Sequence, residues 1–337
     1  MRNMRSPSLI AGAILIAIGL LIYINSPPPQ MQKETLTIKS GDSLKSVSIK
    51  LKRLNLIRSE QFITLYGILT GNTNIKRGKY IIHRGMSSAA ILKKLVTGDT
   101  VRRQVTIPEG FNLYQTGERL AARGITGYRS FISCTSEKRF LRSLGITAPS
   151  AEGYLFPDTY IFSEETDARE IAAVMVKRLR AVLKRIDRSA LQRLGLNTHQ
   201  LLTIASMIEK EARMPEERNA IAAVFYNRLR RGMKLDCDPT VRYAVKKFTG
   251  AITVSDLKNR SPYNTYVHGG LPPTPICSPG LASIRAALQP AEDDYLYFVS
   301  RNDGSHYFSR KLSDHLRAVA FYQKGIANGF IDRQKKR

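Results

Sequence analysis

Tryptophan is absent from the 337 residues, cysteine occurs three times, and acidic residues number 27 against 53 lysines and arginines. Without Trp, any aromatic platform for stacking sugars or bases rests on the 15 tyrosines and 12 phenylalanines. Three cysteines cannot form a disulfide framework, and none stands in a C-x-x-C pair, which argues against a zinc ribbon. The five histidines show no ligand spacing, so no metal and no other cofactor is implied. The acid deficit leaves a formal net charge of +26, which calls for a polyanionic neighbour: nucleic acid, an anionic membrane surface or an acidic polymer. With 43% apolar and 24% charged residues the composition is that of a globular chain, long enough for two domains.

Long apolar runs are scarce too; there is one, residues 9–24. Arg2 and Arg5 precede it, and Asn25, Ser26 and three prolines, Pro27, Pro28 and Pro29, follow. As a helix it spans about 24 Å, a little short of the roughly 30 Å hydrocarbon core. The basic flank on the short side favours an N-in orientation, and no small-x-small cleavage site follows. The expectation is a cytoplasmic tail over 1–8 and an uncleaved transmembrane signal anchor over 9–24. Everything beyond would lie in the periplasm, held to the cell inner membrane by a single pass. A cleaved signal peptide is the alternative. Outside the cytoplasm nucleic acid drops out as a partner, leaving lipid head groups and a carboxylate-bearing cell wall. Part of the excess charge, including Lys177, Arg178, Arg180, Lys184 and Arg185, also fits a solvated helix face.

After a proline-containing linker at 25–35, a half-motif recurs. Leu36-Thr-Ile-Lys-Ser-Gly41-Asp-Ser-Leu44 matches Val105-Thr-Ile-Pro-Glu-Gly110-Phe-Asn-Leu113, each running on into helical spacing. A weaker third copy runs from Tyr80 through Gly85 to Leu95. A strand-like stretch, a glycine turn and helical spacing describe a strand–turn–helix unit, and such units pack together as a small α+β domain. Gly-Asp-Ser-Leu before a helix resembles the glycan-binding LysM module, although a spacer role fits the same pattern. Further on, Glu152-Gly-Tyr-Leu-Phe-Pro-Asp158 breaks a helical region with aromatic, acidic and turn residues, as a packed corner or a cleft wall would.

The helix expected from Asn197 or Thr198 carries the most unusual acid. At about 100° per residue, Leu201, Ala205, Ile208 and Ala212 share a face, and Glu209 falls inside the apolar arc. Lys210 points away and Glu211 lies at the margin. A carboxylate on a buried stripe is paired, protonated or at the floor of a cleft, and burial suits it to holding a proton as a general acid. A salt bridge to an arginine such as Arg228 is the plainer alternative. Pro215 opens the next helix, which carries Tyr226-Asn-Arg-Leu229 and stops before Gly232. Proline- and glycine-dense loops follow, rich in Tyr, Asn and Thr, which suits them to presenting polar groups to a sugar. Cys237 and Cys277 flank these loops, and spacing leaves their pairing open.

Together, Ile204-Ala-Ser-Met-Ile-Glu-Lys-Glu211, Phe225-Tyr-Asn-Arg-Leu229, Asp238-Pro-Thr240, Ser261-Pro-Tyr-Asn-Thr-Tyr266, Gly270-Leu-Pro-Pro273 and Asp303-Gly-Ser-His-Tyr-Phe308 resemble the endolytic murein transglycosylase (YceG-like) family. Glu152-Gly-Tyr-Leu-Phe-Pro-Asp158 belongs to the same pattern, and Thr274 and Cys277 depart from it where the family usually has Gly and Asn. The resemblance implies an α+β chain: a transmembrane helix, a small LysM-like domain at 36–103, and a mixed α+β catalytic domain at 104–337. It implies an inner-membrane lyase that cuts nascent peptidoglycan strands between N-acetylmuramic acid and N-acetylglucosamine and so ends their elongation. The family's catalytic glutamate maps onto Glu209. Asn227, Asp238, Tyr263, Asn264 and Tyr266 are the expected substrate-side residues, with loop anchoring favoured for Asp238. Peptidoglycan strands, the membrane and a peptidoglycan synthase or division or elongation protein are the expected partners. A non-catalytic cell-wall scaffold is the alternative.

Overall fold

The computed structural model describes residues 7–39, 41–164, 166–326, 330, 332 and 334. Arg2 and Arg5, and most of the expected cytoplasmic tail, lie outside the described residues. Two compact units make up the chain, Met1–Gln104 with Ile161–Thr166, and Val105–Tyr160 with Asp167–Arg337.

The first unit holds α1 (Pro7–Asn25), β1 (Glu34–Ile38), α2 (Leu44–Arg53), α3 (Glu60–Leu69), β2 (Gly78–Ile82) and α4 (Ser88–Thr97). β1 and β2 pair antiparallel, with Leu36 opposite Tyr80. Alternation puts Leu36, Ile38, Tyr80 and Ile82 on one face, buried with Val47, Leu51, Ile63, Ile91 and Leu95 from the helices. Gly41 turns the chain at φ +90°, a conformation costly for any residue with a Cβ, and Ser43 then caps α2 through a reciprocal capping box with Ser46. Ser87 caps α4 in the same manner, by accepting from Ala90 N–H. Both strand–turn–helix units expected here are therefore present.

α1 behaves differently. Its apolar side chains face outward all round, with Leu15 69%, Ile16 75% and Ile22 67% exposed. A helix apolar on every side has no water-facing surface of its own. Its end is tied to the unit by Arg58, whose guanidinium lies 4.2 Å from the Tyr23 ring centroid and donates to Ser26 Oγ and Pro27 O. Among the described residues no helix is long and apolar enough to cross a membrane.

β3 (Arg102–Thr106) and β4 (Thr159–Ser163) form a second ladder. The second unit continues with α5 (Leu113–Ala122), α6 (Tyr128–Cys134), α7 (Lys138–Ser143), α8 (Ala168–Leu183), α9 (Arg188–Arg193), α10 (Thr198–Glu211), α11 (Arg218–Arg230), α12 (Asp238–Ala244), α13 (Val254–Leu257), α14 (Leu281–Leu288), the hairpin β5 (Tyr297–Ser300) and β6 (His306–Ser309), and α15 (Leu312–Lys324). α5 completes the strand–turn–helix copy that begins at Val105, its turn made by Gly110 at φ +77°. The core is built on α10: Leu201, Ile204, Ala205 and Ile208 pack with Ile221, Val224 and Phe225 of α11 and with Ile284 and Ala287 of α14.

Candidate active site

α10 starts where the sequence places it. Asn197 caps it by accepting from Gln200 N–H, and Gln200 returns the bond. From Leu201 to Ile208 every residue is buried, polar Thr203 and Ser206 included. Those two hydroxyls are satisfied locally, Thr203 Oγ1 donating to His199 O and Ser206 Oγ to Thr203 O, while Ser206 Oγ also accepts from Ile276 N–H. Burial on α10 is therefore set along the axis rather than around it. Glu209 is the first residue at which the helix emerges, and it is half-buried.

Three segments meet at the Glu209 carboxylate. Its Oε2 accepts from Gly280 N–H at 3.0 Å, where Gly280 caps α14. A Cβ placed on Gly110 would lie 3.7 Å from Glu209 Cγ, so that glycine packs on the carboxylate's stem. Lys210, expected to point away, instead lies over the same glycine, and its Nζ donates to Gly110 O at 3.3 Å. Glu109, just before Gly110, lays its own carboxyl against the Cα of Gly280, where any Cβ would collide with it. Partial burial, then the Glu209 charge, raise the Glu109 carboxyl above the ordinary value; the Arg218 guanidinium opposes them. Glu109 escaped the sequence reading, although it stands where the first copy of the half-motif has Ser40.

Two further acids are shaped by burial. Glu211 accepts from Cys237 Sγ at 3.2 Å, and burial pushes its carboxyl up to about 7, with the thiol bond offsetting part of the rise. Glu152, fully buried, accepts from Leu113 N–H, the first of α5, at 3.0 Å and from Tyr243 OH at 2.9 Å. Burial outweighs both bonds and raises it to about 7. Arg228, the alternative salt-bridge partner for Glu209, is spent elsewhere: it donates to Leu296 O, Lys234 O, Leu235 O and Asp236 Oδ2. The three cysteines are free and buried. Cys277 Sγ faces Ser206 O while Cys237 faces Glu211, so the two loop cysteines are not paired.

The expected substrate-side residues divide. Asn227 and Asn264 are buried and turned inward. Asn227 Nδ2 donates to Asp293 O and Tyr295 O, and Asn264 Nδ2 donates to Leu257 O and Asn259 O. Asp238 accepts from Tyr266 OH at 2.7 Å, a loop-anchoring bond. Tyr263 bonds Thr274 Oγ1 at 2.9 Å, its ring 4.8 Å from that of Tyr243. With Tyr114, Lys246 and Ser261 these two tyrosines line a cavity of about 260 Å³. Tyr114 comes from α5, Tyr243 from α12 and Tyr263 from a loop, an aromatic cluster built without Trp.

The profile of the YceG-like family matches residues 36–321. The chain belongs to the YceG-like family. A Bacillus subtilis (strain 168) protein named endolytic murein transglycosylase is 34% identical over 332 residues, covering 93% of this chain and 91% of its own length. A Streptococcus pneumoniae (strain R6) protein of the same name is 32% identical over 318 residues, covering 85% of this chain and 58% of its own length. The crystal structure of a YceG-like protein from Listeria monocytogenes, 35% identical, superposes with a TM-score of 0.60 over 85% of this chain and 99% of that one. The YceG-like match takes in all three copies of the half-motif and the whole of α10.

Proposed function

We propose that this YceG-like protein is an endolytic peptidoglycan lytic transglycosylase with Glu209 as its acid and base. The observation that carries the assignment is the position of Glu209: it is the first half-buried residue after the buried run 201–208 of α10, and one of its oxygens accepts from Gly280 N–H. Glu209 donates its proton to the glycosidic oxygen between N-acetylmuramic acid and N-acetylglucosamine as the C1–O bond breaks. Positive charge spreads over C1 and the ring oxygen. The muramic C6 hydroxyl then bonds to C1 and gives its proton to the Glu209 carboxylate. The products are a 1,6-anhydromuramyl end and a free N-acetylglucosamine 4-hydroxyl, and Glu209 regains its proton without water entering the balance.

Family membership and the name shared by the Bacillus and Streptococcus relatives support the substrate. Tyr263, in the tyrosine-lined cavity, is the expected substrate-side residue with an open aromatic setting. α1 serves as a single-pass, N-in inner-membrane anchor, its outward apolar side chains in contact with lipid and the rest of the chain in the periplasm. A synthase or a division or elongation protein would then supply the nascent strand. The test is mass analysis of products from uncross-linked glycan strands. Internal 1,6-anhydromuramyl ends are expected, and reducing ends formed with uptake of water would overturn the assignment.

A further inference from the structure

α12 closes in a tight turn in which Lys246 N–H donates to Tyr243 O at 3.2 Å and Lys247 N–H to Arg242 O at 2.9 Å. The turn holds Lys246 at φ +53°, a left-handed conformation that glycine adopts freely and a residue with a Cβ adopts at a cost. Among the described residues four non-glycines have such a φ: Asn55, Asp236 and Asn302, of the types that tolerate it, and Lys246, which is not. Glycine would suit the backbone better here, so what a lysine adds is its side chain. The ammonium lies 4.9 Å from the Tyr114 ring centroid, and the exposed lysine lines the cavity it shares with Tyr243 and Tyr263. Among the described residues no carboxylate pairs with it; the next residue, Lys247, pairs with Asp256. Tyr243 OH is committed to Glu152 and Tyr263 OH to Thr274, so the cavity offers fixed rings and one cation without an acid partner. Tyr114 stands four positions past Gly110, the glycine packed on the Glu209 stem, so at most about 14 Å of extended chain separates the two.

We infer that this cavity is a subsite for a carboxylate of the peptide branch on the substrate strand, paired by Lys246 and packed on by Tyr114, Tyr243 and Tyr263. The inference rests on the transglycosylase proposal, which makes peptidoglycan the substrate, and it adds the peptide to the glycan as something the protein reads. A peptide of four residues covers about 14 Å when extended, enough to reach the cavity from a sugar at Glu209. An ammonium selects a carboxylate, and the tyrosine faces beside it pack on the apolar stem of that acid.

The experiment measures cleavage by the full chain of uncross-linked glycan strands bearing stem peptides, and of the same strands with the peptide carboxylates converted to amides. On the free-carboxylate strands Lys246→Gly should raise KM about fivefold with kcat nearly unchanged, and high salt should close the gap. Amidating the strands should raise the KM of the unsubstituted chain by a similar factor, and the two losses should not add. Lys246→Arg keeps the cation and should keep most of the low KM. Thermal unfolding of Lys246→Gly should come at an equal or higher temperature, because the turn favours glycine. A lysine serving structure alone would give the reverse, lower stability and a KM indifferent to the charge of the strand; that result, or losses that add, would overturn the inference. Should Lys246→Gly fail to fold, Lys246→Asn, which suits the same φ without a charge, decides on KM in its place. Affinity of the Glu209→Gln chain for the two strand preparations gives the same comparison without turnover. Products with reducing ends in place of anhydromuramyl ends would remove the transglycosylase reading and leave the comparison of strands standing, which separates the two failures.

Discussion

Glu209 and Glu211 stand two residues apart on α10, yet one carboxylate meets a backbone N–H of Gly280 and the other a buried thiol of Cys237. Glu209→Gln keeps shape and hydrogen bonding but delivers no proton, so turnover should fall by about 10²–10⁴ with the fold intact. Glu211→Gln should cost far less; the reverse ranking in the product assay would transfer the acid role to Glu211. Glu152 carries a different consequence, for stability. Its carboxyl is raised from 4.5 to about 7, so between these values the folded chain holds more proton than the unfolded one. The stabilisation is complete below 4.5 and is lost as pH rises through 7. At about 1.4 kcal/mol per pH unit the swing is on the order of 3 kcal/mol. Glu211 contributes in the same sense. Thermal unfolding should show stability declining between those pH values, with Glu152→Gln flattening the decline; an unchanged slope would exclude Glu152 as a source.

At the scale of elements, the junction of the 108–111 turn, the end of α10 and the start of α14 is what assembles the carboxylates. Gly280 has an ordinary φ of −75°, so its requirement for glycine comes from space and not from backbone conformation. The colliding atoms belong to the tip of a flexible side chain, so Gly280→Ala should displace Glu109 with little cost to folding. Activity should fall roughly ten- to hundredfold through the lost alignment, with thermal stability nearly unchanged. Gly269→Ala, where a Cβ would meet nothing within 4 Å, is the matched control. Equal activities of the two variants would show that the junction does not matter. Thr274 and Cys277, the departures from the family pattern, are absorbed here by bonds from Thr274 to Tyr263 and from Cys277 to Ser206.

For the whole molecule, the proposed anchoring role of α1 rests on its outward apolar side chains, and the charge of +26 suits a polyanionic neighbour. A reporter fused after Arg337 should be active only outside the cytoplasm, and removal of residues 1–26 should release the chain from membranes; cytoplasmic reporter activity would overturn the N-in arrangement. The strand–turn–helix copies and the start of the helix bearing Glu209 near Asn197 or Thr198 were legible in the sequence because each is set by neighbours within a few positions, through strand alternation, glycine turns and reciprocal caps. The order of family motifs was legible for the same reason. Which polar side chains turn inward was not. Asn227 and Asn264 look like ligand groups in sequence, but their amides satisfy loop carbonyls tens of residues away or across a turn. Glu109 lies 100 positions from Glu209, and only the packing of a turn, a helix end and a glycine cap sets them side by side. Local chemistry determined the elements and singled out Glu209; long-range burial and backbone pairing decided which acids share its pocket, because desolvation and charge act through space.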